Sequence, residues 1–238
     1  MNRFSILALL AAGTATLFAP SARGAVVFSE TFSVDGPFPS AAYPQWTYVS
    51  DLPSTTASVI AGVLTIQGSS DGARASVVIP SLTHVTVSAT VSASGHSFGQ
   101  GNVGLRWGDL DFLFHPGFSG GAFRIDENAG ANNIVGNTNM GFTPTSGRDY
   151  RISVQGEVIG MNTDFDVVIT DGINTFAPST FTIPNSQIED FTLVGLYMAN
   201  DGTKRFDNFL VTPEPASAIL GLFGLLSLSL VARRRREP

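Results

Sequence analysis

In the stretch THVTVSATVS, residues 83–92, apolar and small polar side chains alternate without a break. Val85, Val87, Ala89 and Val91 take one parity, and Thr86, Ser88, Thr90 and Ser92 take the other. A period of two puts successive side chains on opposite faces of an extended chain, so the segment has one apolar and one polar face. DYRISVQ repeats the pattern, with Tyr150, Ile152 and Val154 against Arg151, Ser153 and Gln155. TDFDVVIT sets Phe165, Val167 and Ile169 against Asp164 and Asp166. Such strands belong to antiparallel sheets buried on one side. Further short apolar runs carry the same character: AVVFSETF, WTYVSD, GVLTIQG, ASVVIP, GNVGLRW, LDFLFH, GAFRID, STFTIP, FTLVGLYMA and KRFDNFLV. Helix formers are scarce, with one Lys and six Glu in 238 residues, while 25 Gly and 13 Pro supply turns. Asp71-Gly72 and Asp171-Gly172 mark turns, and Asp201-Gly202 is a hairpin signal between FTLVGLYMA and KRFDNFLV. NAGANNIVGNTNMG, residues 128–141, reads as a long surface loop and a candidate lining for a binding face. The body lacks a helical pattern and a repeat. The expected fold is therefore all-β: an antiparallel, jelly-roll-like β-sandwich over residues 25–212.

The two ends are different. Residues 1–24 have the layout of a secretory signal peptide: Arg3, an uncharged run from Phe4 to Ala19, a break at Pro20, and Ala22 and Gly24 before a cut at Ala25. At the other end Ala216 to Ala232 is uncharged and apolar, the short end of a membrane-spanning helix. Arg233, Arg234, Arg235 and Arg236 follow it. The positive-inside rule keeps them in the cytoplasm and places the body outside, as the signal peptide also requires. Pro213-Glu214-Pro215 precedes the span and stays extended and accessible, since two prolines in three positions exclude a regular helix.

This triplet, apolar span and arginine cluster in residues 213–238 resemble the PEP-CTERM sorting signal of Gram-negative bacteria. The resemblance implies export, transient anchoring in the inner membrane and cleavage near Pro213–Pro215 by an exosortase-type transpeptidase. It also implies a place at the cell surface or in the extracellular matrix, with exopolysaccharide and biofilm as surroundings.

Charge narrows the partners. Residues 25–212 hold 17 acidic and 7 basic side chains. An acidic body argues against nucleic acid as a partner, since phosphates need a clustered basic face. There is no Cys, and His84, His96 and His115 are too scattered for a zinc signature.

FSETFS at the start of the body and RFDNFLV at its end also resemble the concanavalin-A-like lectin/glucanase superfamily, in which the first and last strands pair. Glu30 shares parity with Phe28 and Phe32, and Asp207 with Phe209 and Val211, so regular strands would aim both carboxylates at an apolar side. A structural Ca²⁺ on Glu30 and Asp207 would relieve that burial, and the resemblance implies a calcium there. The alternatives are a bulge that turns each residue to solvent, or pairing with Lys204 or Arg205. Tyr43, Trp46 and Tyr48 cluster in sequence, and an exposed Trp107 with Arg106, Asp109 and Asn102 would make a carbohydrate-binding set. Most aromatics of a sandwich, however, belong to the core. Asp109 and Asp111 share strand parity and are candidates for a carboxylate pair, but the E-x-D-x-x-E and E-x-D-x-E strands of the superfamily's glucanases are absent, so no catalytic residue is assigned. The expected function is a non-catalytic carbohydrate- or exopolysaccharide-associated module. A ligand-free structural matrix protein and a divergent polysaccharide hydrolase are the alternatives.

Overall fold

The computed structural model describes residues 27–68, 72–80, 84–91, 102–115, 121–127, 132–144, 148–199 and 202–213. The signal segment, Glu214, Pro215, the Ala216–Ala232 span and Arg233–Arg236 lie outside the described residues. Among the described residues no helix is long and apolar enough to cross a membrane. Val26–Pro213 forms one compact unit.

Every strand pairing among the described residues is antiparallel. First come β1 (Phe28–Glu30), β2 (Gly36–Pro37), β3 (Trp46–Ser50), β4 (Thr56–Ile60), β5 (Val63–Gly68), β6 (Ala73–Val78) and β7 (His84–Val91). Then follow β8 (Asn102–Trp107), β9 (Leu110–His115), β10 (Ala122–Glu127) and β11 (Asn132–Asn139), each pairing with the next. The last are β12 (Tyr150–Ile159), β13 (Asn162–Thr170), β14 (Thr175–Phe176), β15 (Phe181–Pro184), a 3-10 turn at Asn185–Gln187, β16 (Leu193–Ala199) and β17 (Gly202–Pro213). One sheet runs β14-β13-β12-β7-β17-β5-β4-β2, with β1 on β17 and β15 on β13. The other runs β11-β10-β9-β8-β16-β6-β3. The expected two-sheet antiparallel sandwich is the observed one, and its first and last strands pair: Phe28 lies opposite Val211 and Glu30 opposite Phe209.

Alternation fills the space between the sheets. Val85, Val87, Ala89 and Val91, Tyr150, Ile152 and Val154, and Phe165, Val167 and Ile169 are all buried there. From the seven-stranded sheet they meet Val103, Leu105 and Trp107, Phe112 and Phe114, and Leu196 and Met198. Rings bridge the layers: Phe165 stands 4.9 Å from Phe112 and 5.6 Å from Trp107, and Trp46 stands 5.1 Å from Phe209. Burying a side chain of this size is worth about 1.5–3 kcal/mol, so these rows account for much of the driving force.

Two sequence expectations fail at connections. β16 and β17 do not form a hairpin: β16 pairs with β6 and β8 in one sheet, β17 with β5 and β7 in the other. A turn signal records that the chain reverses, and a chain can reverse from one sheet to the other as well as within one. The Asn/Gly-rich stretch is likewise no plain loop. Asn132–Asn139 is the edge strand β11, with register shifts against β10. Edge strands tolerate such composition because only one side pairs and little is packed on them.

Candidate functional site

The seven-stranded sheet presents its second face outward, and strand parity decides what stands there. In β8, NVGLRW turns Val103, Leu105 and Trp107 to the core and Gly104 and Arg106 outward. Across β6, β16, β8, β9 and β10 one outward rung reads Ser76, Gly195, Arg106, Asp111, Asp126. The next reads Arg74, Tyr197, Gly104, Leu113, Arg124. Three arginines, two aspartates and a tyrosine thus share one patch, next to Leu113, which packs with Tyr197 apart from the main core.

Solvated strand faces commonly carry such residues; here Arg106, Asp111, Asp126 and Tyr197 are buried and Arg74 and Arg124 are half-buried. Arg106 is 5% exposed, Asp111 0%, Asp126 1% and Tyr197 1%. Arg106 donates to Asp111 at 3.0 Å, and Arg124 pairs with Asp126 at 2.7 Å. Burial pushes the Arg106 pKa down, partly offset by Asp111. It pushes Asp126 up against the opposing pull of Arg124, and pushes Tyr197 up with help from the charge of Asp111. His115, at the end of β9 with the same parity, is pushed down by burial and by Arg124. Polar capacity is left over. The Nε atoms of Arg74, Arg106 and Arg124, Oδ1 of Asn102 and Oδ1 of Asp126 are buried without a hydrogen bond, while Oδ2 of Asp126 faces Arg124. Each such group costs about 1–3 kcal/mol.

The sequence candidates are distributed differently. Trp107 is not an exposed platform. It is 2% exposed, edge-on to Phe165, and it faces away from Arg106 because adjacent strand residues point oppositely. Asn102 is buried at the start of β8. Asp109 sits in the Gly108-Asp109 turn between β8 and β9, where its Oδ1 accepts the Glu189 N–H at 3.0 Å. Asp109 and Asp111 therefore form no carboxylate pair: one is held by Glu189, the other by Arg106. Tyr43 and Trp46 are core residues.

Glu30 and Asp207 do not aim together at the core. β17 slips between Asp207 and Leu210, with Asn208 at φ 51°. The extra residue turns Phe206 and Phe209 both inward and leaves Asp207 partly exposed, accepting from its own neighbour Asn208 at 2.6 and 3.0 Å. Glu30 Oε1 accepts the N–H groups of Thr31 and Phe32 at 3.0 and 2.9 Å. Glu30 borders a depression of about 380 Å³ with Thr90, Arg151 and Asn208. Lys204 is fully buried, and Arg205 reaches the Ile60 carbonyl at 3.4 Å. Pro213 is the last residue of β17, opposite Val85.

With this geometry in place, the comparisons give an architecture. No protein-family model matches the sequence, and no curated protein does. Among solved structures, an engineered GH43 glycoside hydrolase with endo-xylanase and exo-arabinofuranosidase activity is similar at 9% identity and TM-score 0.53, over 79% of this chain and 41% of that one. A bifunctional GH43-CE protein of Bacteroides eggerthii is similar at 14% identity and TM-score 0.50, over 78% of this chain and 27% of that one. The lectin UEA-II, solved with galactose, gives 10% identity and TM-score 0.49 over 80% of this chain and all of that one. The chain thus spans less than half of either GH43 protein, and the likeness is one of fold.

The sequence reading missed Arg74, Arg124, Asp126 and Tyr197. The signal was the polar parity of GARASVV, GAFRIDE and FTLVGLYMA. Alternation alone assigns such residues to solvent, and only their depth in the folded sheet distinguishes this patch.

Proposed function

We propose that this is an exported, non-catalytic, carbohydrate-associated module of the cell surface or extracellular matrix, with the outward face of the seven-stranded sheet as its ligand face. The observation that carries this is the unspent hydrogen-bonding capacity of both signs in one patch: donors on Arg74, Arg106 and Arg124, acceptors on Asn102 and Asp126. A saccharide hydroxyl donates and accepts at once, so vicinal hydroxyls complement such a mixture better than a purely anionic or purely apolar ligand does. Within this row Asn102, Arg106 and Asp126 are buried, and Arg74 and Arg124 are half-buried. A sandwich shared with part of a xylan- and arabinoside-active enzyme agrees with a saccharide ligand.

Retention of the purified chain on immobilised exopolysaccharides and β-glucans tests the reading. We expect binding that falls about tenfold in Arg124→Gln and in Asp126→Asn, a loss equal to one charged hydrogen bond, with melting temperatures within a few degrees of the parent. No retention on any polysaccharide would leave the ligand-free matrix protein. Asp111 and Asp126 are register neighbours, each paired with an arginine, and burial pushes Asp126 up against the pull of Arg124; unequal environments of two carboxyls are what acid–base pairs exploit. Release of reducing sugar that disappears in Asp126→Asn would therefore favour the hydrolase.

The delivery part of the proposal rests on the ends of the sequence. The signal segment starts export, Ala216–Ala232 with Arg233–Arg236 holds the precursor in the inner membrane, and an exosortase-type transpeptidase cuts near Pro213–Pro215. The intact mass of the mature protein in its host should correspond to a start at Ala25 and an end near Pro215. A mass equal to all 238 residues would refute both cuts.

A further inference from the structure

At the opposite parity, where the seven-stranded sheet ends, three carboxylates converge. Asp109 comes from the β8–β9 turn, Glu127 from the last position of β10, and Glu189 from the segment between the 3-10 turn and β16. One oxygen from each lies within 4.8 Å of the others. The backbone is built tightly to achieve this. Gly108 has φ +59°, its N–H bonds the Leu193 carbonyl at 2.6 Å, and a Cβ there would stand 2.4 Å from the Asp190 carbonyl. The turn is thus pressed against the chain that carries Glu189.

A cluster of acids by itself is ordinary on an acidic protein. The second observation is Asp109 itself. It is 4% exposed, and while Oδ1 accepts the Glu189 N–H, Oδ2 is buried without any hydrogen-bond partner. Among the described residues Asp109 and Glu189 enter no salt bridge. Arg106, on the other side of the same hairpin, lends Asp109 part of a counter-charge. A buried carboxylate oxygen with no donor, beside two further carboxylates, is an arrangement that water alone compensates poorly.

We propose that Asp109, Glu127 and Glu189 bind one Ca²⁺, with Asp109 Oδ2 as the buried ligand. All three donors are hard oxygens, with no His or Cys nitrogen or sulfur, which selects an alkaline-earth ion over zinc or copper. Oxygens bound at about 2.3–2.6 Å to a common ion stand at most about 5 Å apart, which the cluster meets. The exposed side of Glu189 leaves the remaining positions to water, and a coordination this irregular suits Ca²⁺ better than the strict octahedron of Mg²⁺. The ion would clamp the β8–β9 hairpin to the crossing from β15 in one sheet to β16 in the other. This site is independent of the saccharide face and distinct from Glu30 and Asp207.

The test is thermal melting of the full chain, stripped with EDTA and then given 10 mM CaCl₂ or MgCl₂. Extracellular calcium sites with dissociation constants of about 10⁻⁴–10⁻³ M would raise the melting temperature by about 3–11 °C at this concentration. We expect that rise with calcium, a much smaller one with magnesium, and none in Asp109→Asn or Glu127→Gln. Terbium luminescence excited through tryptophan should report the same occupancy in the parent and be quenched by excess calcium. If Asp109→Asn fails to fold, Glu127→Gln and the exposed Glu189→Gln still decide the matter. An unchanged melt in the parent, or a calcium-induced rise that survives in Glu127→Gln, would overturn the site whatever the polysaccharide experiment gives.

Discussion

Asp171 closes the turn after β13 by accepting from four donors: the N–H groups of Ile173 at 2.9 Å and Asn174 at 2.6 Å, the Asn174 side-chain amide at 3.1 Å, and Arg148 at 2.7 Å. All of them favour the ionised form, so its pKa lies well below the usual carboxylate range, with the Asn174 N–H as the largest cause and Arg148 next. Because the folded carboxyl holds its proton less tightly than the unfolded chain does, its stabilisation is complete above about pH 4 and is lost as pH falls below it. Asp171→Asn keeps the turn geometry but removes the charge. Melts at pH 7, 5, 4, 3 and 2 should show the parent more stable than the variant at pH 7, with the gap closing below pH 4. A gap that stays constant to pH 2 would contradict the assignment. This turn was legible in Asp171-Gly172, since the glycine adopts φ +85° and the aspartate bonds forward to its own backbone. Asp207 was legible only as an alternative, the bulge that turns it to solvent, and not as the favoured outcome. Its parity depends on a bulge that nothing in RFDNFLV announces except an asparagine, one of the few residues at ease at positive φ.

At the scale of elements, alternation located β7, β12 and β13 and assigned their inward residues correctly, because one-sided burial is the physical cause of the pattern. It did not separate Trp107 from Arg106, although the same rule applied to NVGLRW does so at once. Gly156 in the middle of β12 carries a related message. An ideal Cβ there would lie 2.8 Å from Cη2 of Trp107 and 3.0 Å from Cε1 of Phe165. The glycine is the floor on which the indole rests between the sheets. Overpacking of a core typically costs about 1–3 kcal/mol, and Gly156→Ala should lie in that range by urea denaturation. Trp107→Phe removes the clashing atoms at the expense of a cavity. The two changes should therefore be non-additive, with alanine at 156 tolerated better in the Trp107→Phe background. Additive effects in that cycle would mean that the indole does not set the requirement for glycine.

For the whole molecule, the order in which strands occur differs from the order in which they are needed. β17 is the last described strand in the chain, yet it stands in the middle of the ten-stranded sheet. It pairs with β7 on one side, and with β5 and then β1 on the other. Without it the sheet is two separate pieces, β14-β13-β12-β7 and β5-β4-β2, and β1 has no partner. Phe206, Phe209 and Val211, all buried, leave the core with it. These contacts span most of the chain, so loop closure must precede their gain and folding should be slow and concerted. A chain of residues 25–213 should then unfold in one cooperative transition, because everything described packs within it. A chain of residues 25–201 should show no such transition, even though it retains sixteen of the seventeen strands seen among the described residues. A synthetic peptide of residues 202–213 added to the shorter chain should restore part of the transition, since the vacated channel has hydrogen-bonding partners on both sides. A cooperative melt from residues 25–201 alone would show that the two half-sheets stand without their shared strand. That outcome would overturn the dependence on β17 argued from the topology. A body that cannot close until its last strand arrives also suits the proposed export, because such a chain remains unfolded while it crosses a membrane.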